Sequence, residues 1–208
     1  MTKEQIIGKE ASGTPASGQE IGNVGISVKD GVLSSLKGLD EIEAEIMALV
    51  RDTVSNTLRA AKVVGIETVG VTRDVVKGAI QATDEVGTGL MLGTKSVAKG
   101  LIMGVSDVGG DIVSVAGTTV KGAVEEAAVV GADVVMVARR SVDGVIEATK
   151  EVGGNVEEVS KVAVTGAIYA ASTISNTALK AVSEILVGVV EGVKAVASSV
   201  VQKPGSDA

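Results

Sequence analysis

Glycine recurs in this chain at intervals of 22 residues, and this spacing is the strongest constraint on its fold. One series lies in the similar segments VVKGAIQ, VAKGLIM, TVKGAVE, SVDGVIE, AVTGAIY and ILVGVVE and comprises Gly78, Gly100, Gly122, Gly144, Gly166 and Gly188. A second series with the same spacing comprises Gly65, Gly87, Gly109, Gly131 and Gly153. A fixed period of this length predicts an array of similar structural units, here from about residue 53 to residue 201.

The period favours helices over strands. Twenty-two is twice eleven, and eleven residues make three turns of a nearly straight α-helix at about 3.67 residues per turn. On a helical wheel at about 98° per residue, most acidic residues gather opposite a broad apolar arc, and many basic residues are separated by multiples of eleven. We therefore predict an all-α fold of long amphipathic helices. The alternative is a β-solenoid with one 22-residue rung per repeat, because valine and glycine are poor helix formers.

The chain divides into three parts by composition. Residues 1–37 are rich in Gly, Ser, Thr and charged residues without a sustained apolar period, which predicts a flexible tail. Residues 38–203 form the predicted helical repeat region, and Asp40 with Glu43 resembles a capping box at its start. Residues 204–208 form a short polar end.

The sequence leaves open whether the repeats form one helix or several. A single helix over residues 40–202 would be about 240 Å long at 1.5 Å per residue. The pairs Gly109-Gly110 and Gly153-Gly154 are candidate breaks, which would instead fold the chain into hairpins, a bundle or a filament.

Apolar residues of the same register predict a contact face along the helices. Its members are Leu58, Val64, Val76, Ile80, Val86, Ile102, Val108, Val120, Val124, Val130, Val142, Ile146, Val152, Val164, Ile168, Ile174, Val190 and Val196. The second glycine series lies within this apolar arc, so we predict that Gly65, Gly87, Gly109, Gly131 and Gly153 let another backbone approach closely. The first glycine series lies toward the polar side of the helix. Close packing can account for glycine at these positions only if another element also covers that side.

Basic residues form a stripe between the apolar arc and the acidic pole. The stripe comprises Lys62, Arg73, Lys77, Lys95, Lys99, Lys121, Arg139, Lys150, Lys161 and Lys194. Its side chains could extend along an apolar interface to meet anionic headgroups. Alternatively, they could form a solvated flank of i,i+3 or i,i+4 pairs with the acids.

The composition excludes several kinds of chemistry. The chain has no His and no Cys, which removes His-dependent nucleophile systems and ordinary zinc sites. Its net charge of −7 argues against general nucleic-acid binding. We therefore expect no enzyme, no catalytic residue, no metal, no cofactor and no small-molecule substrate.

The segments GTTVKGAVEEAAVVG and EATKEVGGNV combine small residues, Val and Thr with a Lys or Glu before Gly. In this they resemble the repeats of proteins with exchangeable lipid-binding helices, namely synucleins, exchangeable apolipoproteins and perilipins. The resemblance is one of period and composition over residues 53–201. It implies helices that fold along a lipid surface.

Two functions follow from these patterns. The helices could coat an apolar surface such as a membrane, a lipid droplet or a storage granule. Alternatively, identical chains could pack through the apolar arc and the glycines to form a structural bundle or filament. A more remote alternative is a protein that protects against stress or desiccation. The expected partners are a lipid or polymer surface, identical chains, or both. We expect no binding to nucleic acid. The start of the chain has no apolar stretch typical of a signal peptide, so we expect a cytoplasmic protein, peripheral on a membrane or granule.

Overall fold

The computed structural model describes residues 25–29, 31, 42–61, 66–85, 89–187 and 189. Within these ranges the helices longer than one or two turns are α1 Ile42–Ala61, α2 Ile66–Glu85, α3 Gly89–Ser106, α4 Ile112–Val129, α5 Val134–Glu151, α6 Val156–Ile174 and α7 Asn176–Leu186. None of the described residues is in a strand, which confirms the predicted all-α fold and leaves the β-solenoid alternative without support.

From α4 to α6, one helix and one turn make up one 22-residue unit. The helices begin at Ile112, Val134 and Val156. The turns before them each contain a glycine in the left-handed region, at Gly109 (φ +70°), Gly131 (φ +76°) and Gly153 (φ +72°). The candidate breaks at 109–110 and 153–154 are therefore turns between helices, and the chain folds into hairpins and not into one continuous helix.

The turn between α4 and α5 illustrates how one helix ends and the next begins. Gly131 adopts a positive φ, which lets the amide of Ala132 donate back to the carbonyl of Ala127 at 2.8 Å. Two residues after the glycine, the Asp133 carboxylate accepts a hydrogen bond from the amide of Val135 at 3.0 Å. The repeat thus encodes a helix stop followed directly by a helix start.

The helices form two layers. The most extensive contacts join helices that are two apart in the chain, so α1, α3, α5 and α7 form the first layer and α2, α4 and α6 form the second. Consecutive helices pack across the layers. Within the first layer, Gly100 faces residues Met47 to Arg51 and Gly104 faces Arg51 and Val54, so α1 and α3 run in the same direction.

Glycines of the first series lie where neighbours within a layer approach most closely. A Cβ atom added to Gly100 would lie closer than 3.0 Å to the carbonyl oxygen of Met47. The same holds for Gly144 and the carbonyl of Lys95, and for Gly166 and the carbonyl of Gly117. These backbones touch because no side chain separates them, and the side of the helix that carries this series is covered by its neighbour in the layer.

Small aliphatic side chains fill the core between the layers. The largest fully buried residues include Ile46, Ile80, Leu101, Ile102 and Ile168, and most of the remaining core is valine and alanine. The buried hydroxyl groups of Thr72, Thr119, Ser141 and Thr149 donate to carbonyl groups of their own helices, for example from Thr119 to Val115 at 2.9 Å. Close approach of the helices at the glycines compensates for the small side chains, because these side chains then still reach those of the neighbouring helix.

The N-terminal part of the chain contributes to the second layer. Residues 25–29 are helical, Val28 is fully buried, and a Cβ atom on Gly78 of α2 would collide with the carbonyl oxygen of Gly25. Here the structure differs from the flexible tail predicted for residues 1–37, because an apolar side chain and a glycine contact anchor this segment. The other residues of that range, except residue 31, and the polar end at 204–208 lie outside the described residues.

Two glycine substitutions test the close approach of helices within a layer. We expect Gly144→Ala to lower the free energy of unfolding by about 1–3 kcal/mol, because the new methyl group meets the α3 backbone. Gly122→Ala is the matched control, since its Cβ atom would lie at an ordinary 3.5 Å from Val76. It should raise the free energy by about 0.5–1 kcal/mol through better helix propensity. Urea denaturation measures both, and stabilisation by Gly144→Ala would contradict the packing described.

Candidate interaction surfaces

Most of the predicted contact face lies inside the molecule. Nine of its members are at most 4% exposed: Leu58, Val76, Ile80, Ile102, Val120, Val124, Val142, Val164 and Ile168. Val108, Val130, Val152 and Ile146 are half-buried, and Ile174 is 37% exposed at the end of α6. Val64, Val86, Val190 and Val196 lie outside the described residues. The apolar surface that the sequence predicts is thus largely covered by neighbouring helices of the same chain.

The predicted role of the second glycine series is corrected by the backbone. A Cβ atom on Gly109, Gly131 or Gly153 would meet nothing within 4 Å, so these residues do not serve close packing. Their positive φ shows that they are needed to end helices. The helical wheel treats the chain as one continuous helix through these positions. In the structure, the chain changes direction at each of these turns. Gly65 and Gly87 lie outside the described residues.

Basic residues of the first layer pair with acids of the next helix in that layer. Lys95 contacts Glu147 at 2.5 Å, and Lys99 contacts Glu147 at 2.8 Å and Glu151 at 2.6 Å. These pairs join α3 to α5 across their outer surface. The charges therefore reinforce the same contact that Gly144 makes between the backbones.

A similar ion pair joins α1 to the end of α3. The Arg51 guanidinium donates two hydrogen bonds to the Asp107 carboxylate, from Nε at 2.5 Å and from a terminal nitrogen at 2.7 Å. This fork geometry is the strong form of an arginine–carboxylate pair. It ties the first helix of the layer to the turn that follows α3.

Some of the paired groups have pKa values that are shifted from their ordinary values. Hydrogen bonds from Lys95 and Lys99 lower the pKa of Glu147, and the hydrogen bond to Glu147 raises the pKa of Lys99. The hydrogen bond from Arg51 lowers the pKa of Asp107 in the same way. All these groups are therefore charged near neutral pH.

In the second layer, polar side chains also reach from one helix to the next. Gln81 of α2 donates to the Glu126 carboxylate of α4 at 2.7 Å. The ammonium group of Lys121 lies 4.9 Å from the ring centre of Tyr169 on α6, a cation–π contact. Lys121 also pairs with Glu125 of its own helix at 3.6 Å. The single aromatic residue of the chain is thus an exposed contact between helices.

The remaining members of the basic stripe lie on solvated flanks. Arg139 pairs with Asp143 at 3.4 Å and Lys161 with Glu157 at 2.5 Å, both within one helix turn. Three further members, Arg73, Lys77 and Lys150, are exposed. Lys62 and Lys194 lie outside the described residues.

The outer face of α6 is polar. Glu157, Lys161, Thr165 and Tyr169 follow one another along this face, and all four are exposed. Two units earlier, on α4, the position of Lys161 is held by Gly117, where α6 packs. On this face α6 therefore carries exposed polar side chains where α4 carries a glycine contact.

The ion pairs between helices were not predicted from the sequence. Their partners are separated by 48 to 56 residues, a little more than two repeat units. A search for opposite charges at this separation would find them, because helices two units apart are neighbours in a layer. The wheel compared residues only within one continuous helix and therefore missed them.

An open groove of about 240 Å³ lies beside Met47, Lys95 and Lys99, but both lysines already contact carboxylates. Among the residues that the structure describes, no group of His, Cys, Asp or Glu could hold a metal ion. In the same residues no helix is both long and apolar enough to cross a membrane.

Comparison with known proteins finds similarity to a designed helical protein. No protein-family model matches the chain, and no curated protein matches it. The crystal structure of a de novo designed helical repeat protein is similar, with a TM-score of 0.47 and 19% identical residues, over 88% of this chain and 91% of the designed one. The fold class, an all-α chain of stacked helices, follows from the helices and their contacts themselves.

The ion pairs between α3 and α5 predict a pH-dependent contribution to stability. Because the pKa of Glu147 is lowered in the folded state, its contribution is present above its ordinary value of 4.5 and is lost as the pH falls through the lowered value. We expect Glu147→Gln to lower the free energy of unfolding at pH 7 by up to about 1 kcal/mol. Urea denaturation at pH 7 and pH 3 measures this effect, which should be smaller at the lower pH because Glu147 is then closer to protonation.

Glu184→Gln provides the control for this measurement. Glu184 lies 4.0 Å from Lys180 and its side chain is 68% exposed, so its removal should change stability little at either pH. A loss for Glu147→Gln that is equal at both pH values would contradict an electrostatic role.

Proposed function

We propose that this chain is a non-enzymatic structural protein that works in its folded state as a helical-repeat scaffold. The observation that carries the proposal is the burial of nine predicted contact-face residues, each at most 4% exposed, between helices of the same chain. An apolar surface that is already buried drives the folding of one molecule. It is then not free to attach that molecule to lipid.

The polar outer surfaces support this proposal. The first layer presents ion pairs such as Lys99 with Glu151, and α6 presents Glu157, Lys161 and Thr165. Large exposed hydrophobic residues are few among the described ones: Ile26, Val129, Tyr169, Ile174 and Val187. Such a surface suits a stable spacer or scaffold in water, which needs neither a lipid nor a second copy to fold.

A second candidate, coating of an apolar surface, is favoured by the small side chains of the core. Valine and alanine dominate the buried residues of α4, α5 and α6. Layers with such a core could separate and expose the contact face to lipid, because each buried side chain contributes little apolar area. In this mechanism the helices persist while the contacts between them are lost.

A reversible covalent link between helices distinguishes the two functions. The chain has no cysteine, and a Cβ atom at Gly117 of α4 would lie 2.9 Å from a methyl carbon of Val162 on α6. The double variant Gly117→Cys with Val162→Cys can therefore form a disulfide, which needs Cβ atoms about 3.5–4.5 Å apart. When oxidised, it holds α4 against α6, and when reduced, it leaves them free to part.

The experiment combines circular dichroism in buffer with flotation on neutral and anionic phospholipid vesicles. For a scaffold, we expect strong helical signal without lipid and no flotation by the wild type or by either form of the variant. Flotation of the wild type and the reduced variant, with loss of flotation on oxidation, would overturn the scaffold proposal in favour of surface coating. Low helicity in buffer would also overturn it.

A further inference from the structure

The contact between α2 and α4 is looser than the other contacts between long helices of a layer. It is less extensive than the contacts α1–α3, α3–α5 and α4–α6. Gly122 of the first glycine series lies on this contact, but a Cβ atom added to it would meet nothing among the described residues nearer than the Val76 side chain, at 3.5 Å. The described backbone of α2 lies more than 4 Å from that atom. The backbones therefore do not approach here as they do at Gly100, Gly144 and Gly166.

The contact between α3 and α5 has the same register and shows the difference directly. Gly144 of α5 lies 46 residues after Ala98 of α3, and a Cβ atom on Gly144 would be 3.1 Å from the Ala98 Cβ atom. Gly122 lies 46 residues after Val76, and the corresponding distance is 3.8 Å. The Val76 side chain thus occupies the space between α2 and α4.

A carboxylate with little access to water also lies on the α2–α4 contact. Glu126 of α4 is 8% exposed and accepts a hydrogen bond from the Gln81 amide of α2 at 2.7 Å. The side chains of Glu147 and Glu151, which join α5 to α3, are 40% and 44% exposed and pair with lysine. A buried charge with a neutral partner retains a larger desolvation cost than an exposed ion pair. Separation of α2 from α4 returns water to Glu126, which favours opening.

The helices on either side of this contact are joined more firmly. In the first layer, Gly100 packs on α1 and Gly144 packs on α3, and ion pairs join the same helices. In the second layer, Gly78 joins α2 to residues 25–29, and Gly166 joins α6 to α4. The second layer therefore divides into two parts between α2 and α4, whereas the first layer is continuous from α1 to α5.

We propose that the α2–α4 contact is a hinge of the folded array. When it opens, α2 and residues 25–29 rotate together away from α4 and α6, and the first layer stays joined and forms the axis of bending. The helices keep their internal hydrogen bonds, and Val76 becomes accessible to solvent. This inference rests on the folded array that the proposed scaffold function requires, and it adds a defined site of bending to that array.

The reactivity of a buried thiol tests the hinge, because the chain has no cysteine of its own. Val76→Cys places a thiol on the α2–α4 contact, where the native side chain is 1% exposed. Val120→Cys is the matched control. Val120 occupies the same repeat position on α4, is fully buried and lies one helix turn after Gly117, on which Gly166 packs. In native buffer we expect a thiol-modifying reagent to react with the Val76→Cys variant at least ~10-fold faster than with the Val120→Cys variant.

The urea dependence of the reaction reports how much surface the open state exposes. Opening of a hinge exposes less surface than global unfolding, so urea should accelerate modification of the Val76→Cys variant only slightly. Modification of the Val120→Cys variant should instead follow the urea dependence of global unfolding measured by circular dichroism.

Amide hydrogen exchange of the wild-type chain distinguishes a hinge from unfolding of α2. We expect the α2 amides to remain protected on the timescale of thiol modification, because the helix moves as a unit. Equal modification rates in the two variants, or α2 amides that exchange as fast as the thiol reacts, would overturn the hinge. If helical signal in buffer is also low, the array does not fold, and the scaffold function is overturned together with the hinge.

Discussion

The structure depends on the close approach of helix backbones within each layer. Gly100, Gly144 and Gly166 remove the side chain at the point where one helix would otherwise hold its neighbour away. Each glycine lowers helix propensity by about 1 kcal/mol relative to alanine, so the contact that it permits has to offset this cost. The gain is a closely spaced stack in which valine and alanine suffice to fill the core. The absence of Phe and Trp follows from the same geometry, because little space remains for large rings.

Charged residues follow the same pattern of neighbours. Lys95, Lys99 and Arg51 reach acids of the next helix in their layer, and Gln81 does so in the second layer. The ion pairs of the first layer lie on the outer surface, where each contributes a modest amount. Together they favour one alignment of helices over slipped alternatives, since a shift by one turn would separate the partners.

The α6–α7 connection departs from the other turns. Gly109, Gly131 and Gly153 each end a helix with positive φ, but the equivalent position holds Ser175, which is extended at φ −170°. Ser175 caps α7 by accepting from the amide of Ala178 at 3.0 Å. The connection is therefore shorter than the other turns. Together with the polar outer face of α6, it distinguishes this end of the chain from the repeating middle.

The sequence by itself determined the all-α class and the 22-residue spacing, because these depend on local period and on glycine. It offered 109–110 and 153–154 as candidate breaks, but only the structure showed that the chain turns there. It also identified apolar residues such as Ile80, Ile102 and Ile168, which are fully buried. Only the tertiary structure decided what covers them, since periodicity defines a face but not its partner. The roles of the two glycine series were decided in the same way. Gly131 ends a helix and Gly144 lies against Lys95 because the chain reverses after each unit and brings helices two units apart into contact. No pattern within one helix contains that information.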